Sequence, residues 1–91
     1  MAKFETRVAG VSFYNVNFSA VSLRSKVTLS PDPKNPHDVN GIKVIIDGHH
    51  VGHIPRSLNV TLNEYIERQY NVGARVASVT STELSDIEAL P

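Results

Sequence analysis

The chain has 91 residues, 41% of them apolar, which bounds one small globular domain with no room for a second core. Its formal charge is zero and it has no cysteine, which argues against a uniformly basic nucleic-acid coat and excludes disulfide scaffolds, thiolate nucleophiles and sulfur-ligated zinc. No run approaches the roughly 20 apolar residues needed to cross a bilayer, and Met1-Ala2-Lys3-Phe4-Glu5 lacks the long apolar run of a secretory signal. A cytoplasmic protein with no membrane partner is therefore expected. Glu83, Asp86 and Glu88 all fall at the C-terminal end, so residues 1–82 carry nine basic and six acidic side chains, a balance of +3. The expected organisation is one domain over 1–82 and an acidic, flexible tail over 83–91.

In chain order, Phe4 to Tyr14 is rich in β-branched and aromatic residues and predicts the first strand. Residues Phe18 to Leu23 suit helix and strand equally. Lys26 to Leu29 predicts a second strand, ended by the proline-rich segment Asp32-Pro33-Lys34-Asn35-Pro36-His37-Asp38. Asn40-Gly41 offers a positive φ, and Ile42 to Ile46 is a nearly continuous apolar run of the kind covered on both faces. Asp47-Gly48 predicts a hairpin that returns the chain through His50 to Ile54. After Pro55, the stripe Leu58, Leu62, Tyr65, Ile66 and Gln69 predicts an amphipathic helix with Ser57 or Thr61 as N-cap, closed by Asn71-Val72-Gly73. Ala74 to Thr80 predicts a last strand, so the fold class is mostly β, largely antiparallel, with one clear helix.

The proline-rich loop carries the strongest site signal. Pro33 and Pro36 fix their own φ and push Asp32 and Asn35 toward extended backbone, so Asn35, His37 and Asp38 are expected to project from a stiffened loop. Other constellations fail on spacing. His49-His50-x-x-His53 lacks the glutamate of a hydrolytic zinc helix, and strand alternation puts His49 with His53 and turns His50 away, so no metal or other cofactor is expected. A calcium loop ending beyond Gly41 would put Pro36 at its first ligand position, which needs an oxygen side chain. No G-x-S-x-G, P-loop or G-x-G-x-x-G occurs, and no enzyme is expected. Asn59-Val60-Thr61 reads as a chance glycosylation sequon.

D-P-x-N-P-x-D-x-N-G-I-K-V over Asp32–Val44, then Val51-Gly52-His53-Ile54 and a helix, preceded by V-A-G-V-S-F-Y at Val8–Tyr14, resembles the HIRAN domain family. Three blocks in the right order and spacing carry the likeness over roughly residues 4 to 80. The resemblance implies a small OB-like or SH3-like modified β-barrel with a helix, here as the module by itself. It also implies a nucleic-acid-binding function, since the best understood member captures the 3′-hydroxyl end of single-stranded DNA. Carried over by position, Asp38 would read the terminal hydroxyl with Asn35 as its loop partner, and Phe13 and Tyr14 would stack bases. Arg56 would contact phosphate, with His53 nearby. Two positions depart from the pattern: Ser12 stands where the DNA-binding member has an arginine, and His37 replaces a tyrosine that sandwiches the terminal base. Weak binding is therefore expected, with a helicase, nuclease or other DNA-processing protein as partner. The competing expectation is a protein-interaction adaptor on the same scaffold.

Overall fold

A computed structural model describes residues 2–10, 20–68, 71–76 and 87–90 of the chain. Its organising element is the hairpin of β3 (Ile42–Ile46) and β4 (His49–His53). Asp47 and Gly48 turn it with φ values of 49° and 84°, and two successive positive values define the type I′ turn whose twist matches that of paired strands. The return strand starts one residue earlier than the sequence suggests. β2 (Val27–Pro31) runs antiparallel to β3, from Val27 opposite Ile46 to Pro31 opposite Ile42, so the strand outlasts the expected Leu29 and proline sits only at its end. Asp47 pins the start of β2 as well: its Oδ1 accepts the Lys26 N–H at 3.0 Å and its own N–H donates to the Lys26 carbonyl at 2.9 Å.

β1 (Ala2–Phe4), β5 (Asn71–Ala74) and β6 (Ile87–Leu90) complete a six-stranded sheet of order β1-β6-β5-β2-β3-β4, antiparallel at every neighbouring pair. The segment that follows β1 reaches the far edge strand, where Ala9 and His53 exchange backbone hydrogen bonds of 2.8 and 2.9 Å across an isolated bridge. The sheet thus curls into a small barrel-like domain, as the fold class anticipates.

Three boundaries differ from expectation. β1 overlaps the predicted first strand only at Phe4; Ala9 rejoins the sheet by its bridge, and residues 11–14 lie outside the described part. The expected strand from Ala74 is displaced toward the N-terminus as β5, and residues 77–80 lie outside the described part. Within the segment read as an acidic tail, Ile87-Glu88-Ala89-Leu90 forms β6, paired with β1 on one side and β5 on the other. Two flanking ladders satisfy its backbone groups, which a short segment between carboxylates does not advertise.

Ile42, Val44 and Ile46 are buried while Lys43 and Ile45 are half-buried, so β3 faces the core on one side, not the two that its apolar run implies. Val8, Val51, Ile54, Leu62 and Val76 complete that core. The β3–β4 register slips after Val44: Val44 faces Gly52, whereas Ile45 faces His50, so Val51 is an extra residue on β4 and is itself buried. Such a bulge reverses the strand's alternation. His50 and His53 therefore share the outer face with ring centroids 4.9 Å apart, in place of the expected pairing of His49 with His53.

The helix α1 (Arg56–Glu67) begins directly behind Pro55, whose carbonyl accepts the N–H groups of Leu58 and Asn59 at 3.0 Å each. Ser57 and Thr61, the expected caps, lie inside it, and no side chain caps it. Pro55, with φ −58° and ψ 150°, provides the extended entry without one. The helix ends before Asn71-Val72-Gly73, which belongs to β5; Gln69, the last residue of the expected stripe, lies outside the described part. Leu62 is fully buried, Leu58 and Ile66 pack against the core, and Tyr65 meets the Phe4 ring edge-on at 5.9 Å. Among the described residues no helix is long and apolar enough to cross a membrane.

One-sided burial of β3 gives a direct test. Ile42→Ala, at a position with 0% exposure, is expected to cost about 2–5 kcal/mol of unfolding free energy in urea, and Ile45→Ala clearly less. A larger loss at Ile45 contradicts the assigned facing.

Candidate functional site

Residues 32–41 form a loop closed at its neck, where the Asp32 N–H donates to the Gly41 carbonyl at 2.8 Å beside the last β2–β3 pair, Pro31 and Ile42. Two tight turns shape it. The Asn35 N–H bonds the Asp32 carbonyl at 3.1 Å across Pro33, whose fixed φ suits the second turn position, and the Gly41 N–H bonds the Asp38 carbonyl at 3.0 Å. Each turn is locked by an Asx bond: Asn35 Oδ1 accepts the His37 N–H and Asp38 Oδ1 accepts the Asn40 N–H, both at 2.9 Å. The loop is stiff, as the prolines predict. However, Asn35 and Asp38 turn into it and are half-buried, and His37 is the exposed member of the three.

Gly41 does not supply the positive φ expected of it. Among the described residues positive φ occurs at Gly10, Asp47 and Gly48, not at Gly41. A Cβ at Gly41 would instead lie 3.0 Å from Asn35 Nδ2 and 3.1 Å from the Asp38 carbonyl oxygen, so a side chain there would make those neighbours shift by a few tenths of an ångström.

The loop is fastened to α1 by Arg56, named from the sequence, and by Asn59 and Asn63, which sequence reasoning leaves out. Arg56, Asn59 and Asn63 follow the i, i+3, i+7 spacing of one helix face. Asn59 Nδ2 donates to Asp38 Oδ2 at 2.8 Å, Asn63 Nδ2 donates to the Asn40 carbonyl at 2.8 Å, and an Arg56 terminal nitrogen donates to the His37 carbonyl at 2.8 Å. The Arg56 Nε also stands 3.5 Å from Asp38 Oδ2. A cation at a helix N-terminus opposes the dipole, and here the opposing charge of Asp38 offsets it. Asn59 is only 2% exposed, the one buried polar residue among the described residues, and its sequence signal was a polar residue on the core side of an otherwise apolar stripe.

Asp38 is the hub. The Asn40 amide, then the Asn59 side chain, hold its carboxyl below the ordinary value against the opposing effect of burial, and Arg56 and His53 add to the lowering. Its side chain keeps 19% exposure. A carboxylate has about four acceptor directions, and here one donor reaches Oδ1 while two approach Oδ2, which leaves an acceptor direction of Oδ1 unused. Arg56, 76% exposed on its side chain, retains donors beyond the two directed at the loop.

His53 sits beside this hub on β4. Its desolvation and its neighbour His50 hold it below the ordinary histidine value, while Asp32 and Asp38 pull the other way and Lys43 adds to the lowering. The structure therefore brings together Asn35, His37, Asp38 and Arg56, with His53 adjacent. Phe13, Tyr14 and Ser12 lie outside the described residues. Among the described residues no group of three or more His, Cys, Asp or Glu side chains is placed to hold a metal ion.

The HIRAN domain profile matches residues 1–89, and the chain belongs to that family. The crystal structure of the HIRAN domain of human HLTF has the same fold, with a TM-score of 0.82, 24% sequence identity, and coverage of 97% of this chain and 74% of that one. No curated protein is a significant match.

Asn59→Leu removes a donor from Asp38 at little change in volume, so the Asp38 carboxyl titration, followed by NMR, should move up toward the ordinary carboxylate range. Because folding depresses this pKa, ionised Asp38 adds stability that is complete above about pH 4 and is lost as pH falls through the depressed value; the variant should lose less on acidification. An unmoved Asp38 titration in Asn59→Leu contradicts the assignment of the hub.

Proposed function

We propose that this domain is a non-enzymatic module that binds single-stranded DNA and reads its free 3′-hydroxyl end, beside a helicase, nuclease or other DNA-processing protein in replication or repair. The observation that carries the reading is the Asp38 carboxylate, held ionised at the loop–helix seam with acceptor capacity on Oδ1. A terminal hydroxyl donates to a carboxylate, whereas the phosphate that replaces it at an internal or phosphorylated position is repelled. Arg56 stands 3.5 Å from that carboxylate, placed to receive the preceding phosphate, and exposed His37 offers an imidazole face to a terminal base. Phe13 and Tyr14 enter through the family resemblance as stacking platforms, each worth about 1–3 kcal/mol per base with little sequence preference. Few phosphate contacts imply weak, salt-sensitive binding.

One observation favours a second reading. Val39 and Val60 are 70% and 51% exposed on the loop and on the helix that fastens it, and exposed apolar residues beside a rigid polar loop also suit a protein partner.

Fluorescence anisotropy at low salt separates the two. Oligonucleotides ending in 3′-hydroxyl are expected to bind roughly tenfold or more tightly than the same sequences ending in 3′-phosphate, and Asp38→Ala, checked for folding by circular dichroism, should erase that preference. Equal affinity for both ends, or binding to neither, removes the end-reading proposal and leaves the protein-contact reading.

A further inference from the structure

The outer face of β2, β3 and β4 is built from ionisable and hydroxyl side chains. Residues directly opposite in a ladder share a face. One row is Ser30, Lys43 and His53, and the next is Thr28, Ile45 and His50, with Ile42, Val44 and Ile46 turned to the core. The bulge at Val51 is what brings both histidines to this face, their rings edge-on at 4.9 Å. His50 Nε2 donates to the Gly52 carbonyl, which can only accept, at 3.0 Å. Lys43, His50 and His53 are all half-buried. The face leads straight to the site already described, since β2 runs into the loop at Asp32 and β4 runs into Pro55-Arg56.

We propose that Lys43, His50 and His53 form a phosphate track for the internal nucleotides of a nucleic-acid strand, crossing the outer face of β2–β4 toward the Asp38–Arg56 seam. The proposal rests on the reading of that seam as a strand-end receptor. Lys43 and His50 crowd His53 on one sheet face, and together with burial they hold back its charged form until an anion arrives. His53 reports that tension: burial, His50 and Lys43 disfavour its charged form, while Asp32 and Asp38 favour it. A phosphate over the face reverses the balance, and His53 takes up a proton from solvent as it binds. Ser30 and Thr28 add neutral donors, and half-buried Ile45 between Thr28 and His50 gives a sugar or base an apolar contact. Alternation of cationic and apolar contacts suits a strand better than a lone anion.

Anisotropy with a 3′-hydroxyl dinucleotide and an oligonucleotide of roughly eight nucleotides, over a salt series at about pH 6 and pH 8, tests this. Lys43→Ala is expected to weaken the longer ligand severalfold and to lower its log–log salt slope by about 0.7, the value for one lost single-strand phosphate contact. The dinucleotide affinity and the ratio between 3′-hydroxyl and 3′-phosphate ends should stay unchanged. Wild-type binding of the longer ligand should tighten toward about pH 6, and His53→Gln should flatten that dependence. Wild-type slope and pH dependence in both variants overturn the track, as does inorganic phosphate competing fully with no gain from strand length. Loss of the end preference with the slope effect intact counts instead against the end receptor.

Discussion

The hydrogen bond from buried Asn59 to Asp38 is the contact on which the arrangement of this domain's polar loop depends. A helix face usually spends a core-facing position on an apolar side chain; this one places an amide there, and the amide's donor is satisfied by a loop carboxylate. Arg56 and Asn63, one turn to either side, grip the His37 and Asn40 carbonyls. The loop is thereby held between three helix residues and its own neck. Its prolines reduce the number of conformations to be excluded, and the helix selects among those that remain.

That arrangement bears on function in two opposed ways. Asp38 and Asn35 spend part of their hydrogen-bonding capacity on the loop itself, so they are structural residues whether or not a ligand is present. The same bonds fix the carboxylate's position and its charge, and a receptor whose groups are already ordered loses less entropy on binding. Structural and recognition roles are compatible because a carboxylate has more acceptor directions than the loop consumes. Arg56 shows the same division: it neutralises Asp38, grips the loop through one carbonyl, and still exposes most of its side chain. The β4 bulge adds a third element, since by reversing the strand's phase it moves His50 to the face that adjoins the loop.

Features with a strictly local cause were legible in the sequence. Asp47-Gly48 specifies the hairpin through its backbone preferences alone, Pro55 stops a strand, and the Leu58–Leu62–Ile66 stripe announces the helix. The family blocks pointed to the loop that α1 fastens. What stayed hidden depends on contacts between distant segments. Asn59 gains its role only when the loop lies over α1, and by itself it reads as part of a sequon. The phase reversal in β4 has one local cue, Gly52 inside a strand, and its consequence for His50 needs the partner's register. β6 is short and sits among carboxylates, so its pairing with β1 and β5 could not be read from propensity. Gly41 was read as a source of backbone freedom, whereas it has no positive φ and instead lies in close approach to Asn35.

The central claim is that α1 presents Asp38 as a ready-formed acceptor for a strand's terminal hydroxyl. A crystal structure of the domain with a short 3′-hydroxyl oligonucleotide tests it most directly. The account predicts the terminal O3′ about 2.5–3.0 Å from Asp38 Oδ1, with the bonds from Asn59, Asn63 and Arg56 to the loop retained. A strand end seated elsewhere on the barrel, or a loop that must release Asn59 to receive it, contradicts that claim.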